Sequence, residues 1–480
     1  MSKWYEGYEN YPNFKIFDEI LKIPRGSFHE EKMADYVEGR LKAKGLETHR
    51  NSLGDIIAYL PASKGRENEE PLMLQAHMDM VCMKTPESTH DFAKDEIKVF
   101  AEDGWLKTYG TTLGADDGAG DAMMLALLEE KDLSNPPVEL VFTVQEEDGM
   151  GGAKGLDFSL LKSKRMIGLD GLTEGATIFS ASAVEGGKLI RNAAFTQAEG
   201  NCYSLNISGL TSGHGANNIG QGLGNAIKLA GRILYRLNKA LGIRLASITG
   251  GTMVHTIPPE TVSVFKCAKA EAEVKAAFDE ISAKIKKEYA VTDPNLKIEC
   301  VKTDADTKCM TEEDTKAVLE LLFVLPVGAQ KVDINHLERV IESYNVSTAN
   351  TYENRIEFDY VSRANMPSDA KELFEAAEIF VKPFCFEYVP TFNYGGHTVD
   401  ENSPLTLLYE KAIKEKTDRA FERMYIHSGL DAGTIFTSLG MNDLIVCMPD
   451  VKDVHTPRER MSLASFAETY TILKEILKNA

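Results

Sequence analysis

Pro71-Leu72-Met73-Leu74-Gln75-Ala76-His77-Met78-Asp79-Met80-Val81 decides the reading of this chain. It reads as a short buried strand that ends in His-x-Asp. Side chains on a strand alternate faces, so His77 and Asp79 point the same way. An imidazole and a carboxylate on one face suit a metal ligand and a neighbouring acid. The carboxyl ends of strands are also where open α/β sheets place their chemistry. A lone His-x-Asp is ordinarily a hydrogen-bonded structural pair, so the weight comes from what surrounds it.

Upstream, residues 13–23 and 28–44 read as helices, the second stopped by Gly45. Leu53 to Leu60 has strand character, and Pro61 to Pro71 is a polar loop. Downstream, the glycines of Thr111-Thr112-Leu113-Gly114-Ala115-Asp116-Asp117-Gly118-Ala119-Gly120-Asp121 predict a loop, followed by an apolar helix over 122–130. Val138 to Val144 is a strand ending in Gln145-Glu146-Glu147-Asp148. Arg165 to Leu169 is another, ending in Asp170-Gly171. Strands alternating with helical segments predict an α/β fold with a largely parallel sheet.

The texture changes near residue 186. Period-2 strands at 204–208, 262–267, 297–301 and 356–361 are separated by helices at 222–240, 272–289, 312–325 and 369–381. This predicts an α+β insert built from two similar β-α-β stretches. Near residue 392 the first texture returns, with a helix over 405–416, a strand over 443–448 and a terminal helix over 463–477. The expected organisation is a first domain of residues 1–186 and 392–480, split by an insert of 187–391.

Length and composition bound the function. At 480 residues the chain is long enough for two or three domains. With 43% hydrophobic and 26% charged residues it reads as globular. Its 53 basic and 73 acidic residues give a net charge of -20, which disfavours nucleic acid or an anionic membrane as partner. The first ten residues carry no apolar signal region, and no apolar run reaches membrane-spanning length. Seven scattered cysteines without a C-x-x-C fit free thiols in a reducing, cytoplasmic setting.

Five segments bring acidic or histidine groups to strand ends or adjacent loops: His77 with Asp79, Asp116, Glu146 with Glu147, Asp170, and His455 in Val454-His455-Thr456-Pro457. In a parallel sheet they gather at one edge. Two histidines and several carboxylates make a nitrogen/oxygen site suited to zinc, manganese or cobalt. Adjacent residues leaving a strand diverge, so one of Glu146 and Glu147 can bind metal while the other faces a bound water as its base.

The chain resembles the M20 metallopeptidase family, in its aminoacyl-histidine dipeptidase branch. The resemblance is carried by Leu74 to Val81, His90-Asp91-Phe92, Gly110 to Gly118, Glu146-Glu147 before Gly149-Met150, Gly222 to Ala226, Gly250-Gly251-Thr252 and Ile426-His427-Ser428-Gly429-Leu430. It implies a zinc-aminopeptidase-like, doubly wound α/β domain with an inserted α+β lid and dimerisation domain. It implies two divalent metal ions, zinc first, with cobalt or manganese as alternatives. His77 would bind one, with Asp79 orienting it. Asp116 would bridge the two, Glu147 and His455 would complete one site, and Asp170 the other. Glu146 would be the general base and acid. His214, in Thr211-Ser212-Gly213-His214-Gly215, would reach the reaction centre of a partner subunit in a homodimer and stabilise the oxyanion. Arg363 would pair with the substrate's terminal carboxylate.

The departures from the family pattern gather on substrate positions. His255 stands where asparagine is common, and Asp431 where glutamate is often found. Gly-His replaces Gly-Trp at His397, and Gly-His-Ser-Gly becomes Gly213-His214-Gly215-Ala216. His255, His427, Asp431 and Arg363 are the expected substrate-binding residues, and a small free-amine dipeptide (Xaa-His, including β-Ala-His) is the expected substrate. The alternatives are a related amidohydrolase, either an N-acyl amino acid deacylase or a tripeptidase, and a non-catalytic metal-binding protein. No Gly-x-Ser-x-Gly elbow supports nucleophilic hydrolysis.

Overall fold

The computed structural model describes residues 3–171 and 173–480; Met1 and Ser2, in the stretch read for a signal, and Leu172 lie outside the described residues. The chain divides into two compact units. One comprises the chain up to Ala181 with Tyr394–Tyr425 and Gly429–Ala480; the other comprises Ser182–Asn393 with Ile426–Ser428.

The first unit is α/β. Its six-stranded sheet is mixed: Leu72–His77 lies between Val138–Thr143 and Arg165–Gly168, parallel to both, and Asp443–Val446 adds a further parallel strand. Ile56–Leu60 and Thr48–Arg50 complete it antiparallel at one edge. Every residue of Leu72–His77 and Val138–Thr143 is buried, as expected of central strands covered on both faces. Helices Pro12–Ile20, Ala115–Ala126 and Leu463–Asn479 contribute Phe14, Phe17, Met123, Leu125, Phe466 and Tyr470 to the core beside that sheet. The register pairs His77 with Thr143 and Gln75 with Gly168, so three strands end side by side, one at His77 and the others just before Gln145-Glu146-Glu147 and Asp170.

One expectation fails instructively. The glycine-rich stretch after Thr111 is not all loop: the helix is entered at Ala115, with non-helical backbone only at Asp116 and Asp117. The glycines there serve close approach. A Cβ on Gly118 would lie 2.5 Å from Arg25 Nη2 and 3.2 Å from Phe17 Cε2. The upstream helices are also shorter than expected, Pro12–Ile20 and Glu31–Ala43, because residues 24–30 form an ordered turn that closes on the site.

The second unit is built on a nine-stranded sheet. The expected pair of β-α-β stretches is two complete βαββαβ motifs. One runs through Asn201–Ser208, helix Ala226–Leu241, Arg244–Gly250, Thr261–Cys267, helix Glu271–Glu288 and Lys297–Thr303. The other uses Ala183–Asn192, helix Glu312–Val324, Val340–Thr351, Arg355–Ala364, helix Pro367–Val381 and Glu387–Tyr394. Each has its strands in the order fourth, first, third, second, the ferredoxin-like arrangement. Gly250 pairs with Ala349 to join the two into one sheet. The first motif is nested inside the second, between its first strand and first helix, which hides the repeat from a linear reading. Asn225 and Thr311 cap two of the helices with side-chain oxygens, and Gly242 (φ +70°) ends the first. Among the described residues no helix is long and apolar enough to cross a membrane.

Candidate active site

At the carboxyl end of the parallel strands, Asp116 is shared between two imidazoles. His77 Nε2 lies 3.0 Å from Asp116 Oδ1, and His455 Nε2 lies 3.1 Å from Asp116 Oδ2. His455 Nε2 is also 3.1 Å from Glu147 Oε2. Three donor groups emerge: His77, Asp116 and Asp170; Asp116, Glu147 and His455; and His77, Glu146 and Glu147. Within each, one ligand atom per residue lies within 4.8 Å of the others. The first two share Asp116. Glu147 Oε1 is buried without a hydrogen-bond partner. Carboxylates outnumber imidazoles throughout the cluster, and none of the three groups contains a thiolate. A buried excess of negative oxygen donors beside neutralisable imidazoles fits hard or borderline divalent cations.

The electrostatics point the same way. Burial alone would lower the His77 imidazole, but hydrogen bonds to Asp116 and Asp79 hold it well above its ordinary value. Hydrogen bonds to Asp116 and then Glu147 raise His455 to about 11. Burial would raise Asp116, yet His455 and His77 pull it below the usual carboxylate range. Burial pushes Glu146 well above its ordinary value, against His77 and helped by Asp170 and Asp431. Burial likewise pushes Asp170 up, with Asp116 adding to it. Without cations the cluster therefore holds its excess charge by keeping protons, as a cation site does.

Asp79 organises the loop that carries the glutamates. Its Oδ1 accepts from Glu146 N at 3.0 Å, and its Oδ2 from Glu147 N at 3.2 Å and Ser27 Oγ at 2.7 Å. The same carboxylate lies 3.3 Å from His77 Nδ1. It is fully buried, so these contacts compensate its charge. Gln145 and His455 have φ near +60°, an uncommon backbone for these residue types and a frequent mark of functional loops.

Three buried groups outside the acid-histidine pattern hold the site together, and sequence reading missed them. Arg25 donates to the carbonyls of Met78 (3.1 Å) and Asp79 (2.7 Å) and to that of Gly114. Glu459 accepts from the backbone N–H groups of Leu113 (2.9 Å), Gly114 (3.2 Å) and Ala115 (2.8 Å). Glu30 Oε1 accepts from Phe28 N and Gln145 N, both at 3.0 Å. Arg25 thus ties the His77 segment to the segment delivering Asp116, and Glu459 ties that segment to the loop of His455. The available signal was slight: Glu459 lies four residues beyond His455, and Gly118 marks where Arg25 must pass.

The second unit gathers three of the expected substrate residues, Arg363, His255 and His427, together with His214. Arg363 Nη2 lies 3.4 Å from His255 Nδ1, and Arg363 Nη1 donates to the His427 carbonyl at 3.5 Å. The exposed His214 ring stacks toward His255, with centroids 6.3 Å apart. His427 is held between Ser343 Oγ and Asn365 Oδ1, each at 2.7 Å. Burial, with Arg363 adding to it, lowers His427 to about 3, so the ring is neutral. Asp431 belongs to the first unit, fully buried at the start of helix Asp431–Leu439, where burial raises it to about 7. His397 is buried against the Ile178 carbonyl (3.0 Å), a structural contact.

This arrangement has relatives. The Escherichia coli "Cytosol non-specific dipeptidase" is 30% identical over 473 residues, covering 97% of both chains. The crystal structure of the aminoacylhistidine dipeptidase from Vibrio alginolyticus matches with TM-score 0.86 at 26% identity, over 98% of this chain and 96% of that one. The aminopeptidase PepT from Bacillus cereus shares the fold, with TM-score 0.55 at 16% identity over 97% of both chains. The profile of peptidase family M20/M25/M40 matches residues 73–479, and the chain belongs to that family.

Proposed function

We propose that the protein is a metal-dependent dipeptidase that hydrolyses the peptide bond of free-amine dipeptides, Xaa-His and β-Ala-His among them. The observation that carries this reading is the pair of donor groups sharing Asp116, with Glu146 beside them and outside both. His77, Asp116 and Asp170 would hold one divalent cation, and Asp116, Glu147 and His455 a second. Zinc suits the donor set, and cobalt and manganese suit it too. Cations there supply Lewis-acid polarisation of the scissile carbonyl and acidify water.

Within this reading, Glu146 takes the proton of the attacking water and passes it to the leaving amine. Burial pushes its carboxyl above the ordinary value, the direction that suits a group that must both accept and return a proton. Asp79 acts by holding the Glu146 and Glu147 N–H groups and the His77 ring. Arg363, with His255 and His427 around it, takes the substrate's terminal carboxylate. His214 reaches the reaction centre of a partner subunit and donates to the oxyanion, and Asp431 contributes to substrate binding. The part formed by residues 187–391 serves as lid and dimerisation domain of a homodimer, and residues 1–186 with 392–480 as the catalytic part. Cytoplasmic residence follows the relative named for the cytosol.

The test is hydrolysis of β-Ala-His, Gly-His, Ala-Ala, Ala-Ala-Ala and N-acetyl-Ala by metal-stripped protein with Zn²⁺, Mn²⁺ or Co²⁺ restored. Metal-dependent cleavage confined to the free-amine dipeptides is the expected result. Cleavage of N-acetyl-Ala, or of the tripeptide alone, would overturn it.

A further inference from the structure

A cleft of about 630 Å³ opens in the first unit beside Glu147, walled by Phe28, Met80, Cys82 and Phe92. Three observations mark it as built. Phe28 is 51% exposed yet held at φ +66°, a left-handed backbone that a bulky residue rarely adopts. Its N–H is fixed by Glu30 Oε1, the same oxygen that fixes Gln145 N, directly before Glu146-Glu147. The aromatic wall and the candidate catalytic loop are therefore pinned to one buried carboxylate. The floor is rigid as well: Gly26 bridges to Met80, and a Cβ on Gly26 would lie only 2.8 Å from Cys82 Sγ. An exposed aromatic held at a backbone cost, and coupled to a site, points to binding rather than to packing.

Resting on the dipeptidase reading above, we propose that this cleft receives the apolar side chain of the substrate's N-terminal residue. Charge decides which end enters. Leaving aside Glu147, which the proposed cation would neutralise, the lining carries Glu31 and Asp148 against Lys32. That balance attracts an ammonium end and repels a carboxylate end, which Arg363 is suited to take. Phe28 and Phe92 then select for side-chain size through burial of apolar surface, and Cys82 sits in the wall as an exposed thiol.

The experiment compares kcat/KM for Leu-Gly, Gly-Leu and Gly-Gly on the full-length, metal-loaded protein. Phe28→Gly removes the ring and accepts the left-handed backbone, so the turn survives. The Leu-Gly to Gly-Gly ratio should fall about tenfold, through KM, as a wall of the apolar subsite is lost. The Gly-Leu to Gly-Gly ratio should stay within about twofold. As a second readout, carbamidomethylation of Cys82 by iodoacetamide should lower the same Leu-Gly ratio, and Cys82→Ser should make that ratio insensitive to the reagent. An unchanged Leu-Gly ratio in both arms, or a fall confined to Gly-Leu, would overturn the assignment. Absence of turnover on any dipeptide by the unmodified protein would instead refute the dipeptidase reading itself.

Discussion

Replacing Glu459 by glutamine tests whether the segment that delivers Asp116 is held by the loop that carries His455. The carboxylate takes three backbone N–H groups, at 2.9, 3.2 and 2.8 Å, and is itself 3% exposed. Glutamine offers one carbonyl oxygen where two acceptors stood, and its amide N–H groups face other donors. At least one buried N–H loses its acceptor, at a cost of about 1–3 kcal/mol. That is about 5- to 150-fold in the population of the correctly placed segment. Loss of such an outer support typically costs about 10–100-fold in metal affinity. Burial pushes the Glu459 pKa up to about 7, so the comparison belongs about one unit above that, where the wild-type carboxylate is mostly ionised. The assay is competition of stripped protein with a chromophoric chelator for Zn²⁺, together with chemical denaturation of the same stripped protein. A fall of about 10–100-fold in Zn²⁺ affinity and of about 1–3 kcal/mol in stability is expected. Wild-type affinity and stability in Glu459→Gln would mean that the segment delivering Asp116 is held without this carboxylate.

Gly118→Ala should destabilise the chain by about 1–3 kcal/mol of overpacking, outweighing the ~1 kcal/mol that alanine gains over glycine in a helix. The Cβ would meet an Arg25 guanidinium already fixed to three carbonyls. A lower denaturation midpoint checks this, and an unchanged one would mean that Arg25 yields. His455 is raised from 6.5 to about 11 by Asp116 and Glu147. In the cation-free protein its contribution to stability is therefore fully present below about pH 6.5 and is lost as pH rises toward 11. Because His77 is also raised, cation binding near neutral pH should release protons and strengthen with pH. Calorimetry in buffers of different ionisation enthalpy reads the release, and buffer-independent heats would contradict it.

The sequence made the central strand and its chemistry legible because both leave local marks. A short apolar run ending in His77-Met78-Asp79, and another ending in Glu146-Glu147, read as buried strands with polar groups placed at their ends. The register that sets His77 beside Thr143 then brings distant segments together without any further signal. The supports were not legible. Arg25 and Glu459 act through backbone carbonyls and N–H groups, which no side-chain pattern records, and Glu30 lies in a stretch that reads as helix. Gly118 and Gly120 misled because glycine marks close approach as readily as it marks a loop. In the second unit, long strands such as Ala183–Asn192 and Val340–Thr351 went unread. The nested repeat separates partners that lie adjacent in the sheet, so local periodicity does not reveal them.

The measurement that bears most directly on the two-cation account is Zn²⁺ stoichiometry and Ala-Ala turnover measured together on wild type, Glu146→Gln and Asp116→Ala. Two cations and turnover are expected in wild type, two cations and no turnover in Glu146→Gln, and loss of bound cation from both sites in Asp116→Ala. A Glu146→Gln protein that loses cation would make Glu146 a ligand, as the third donor group allows. An Asp116→Ala protein that keeps both cations would contradict the shared-carboxylate site outright.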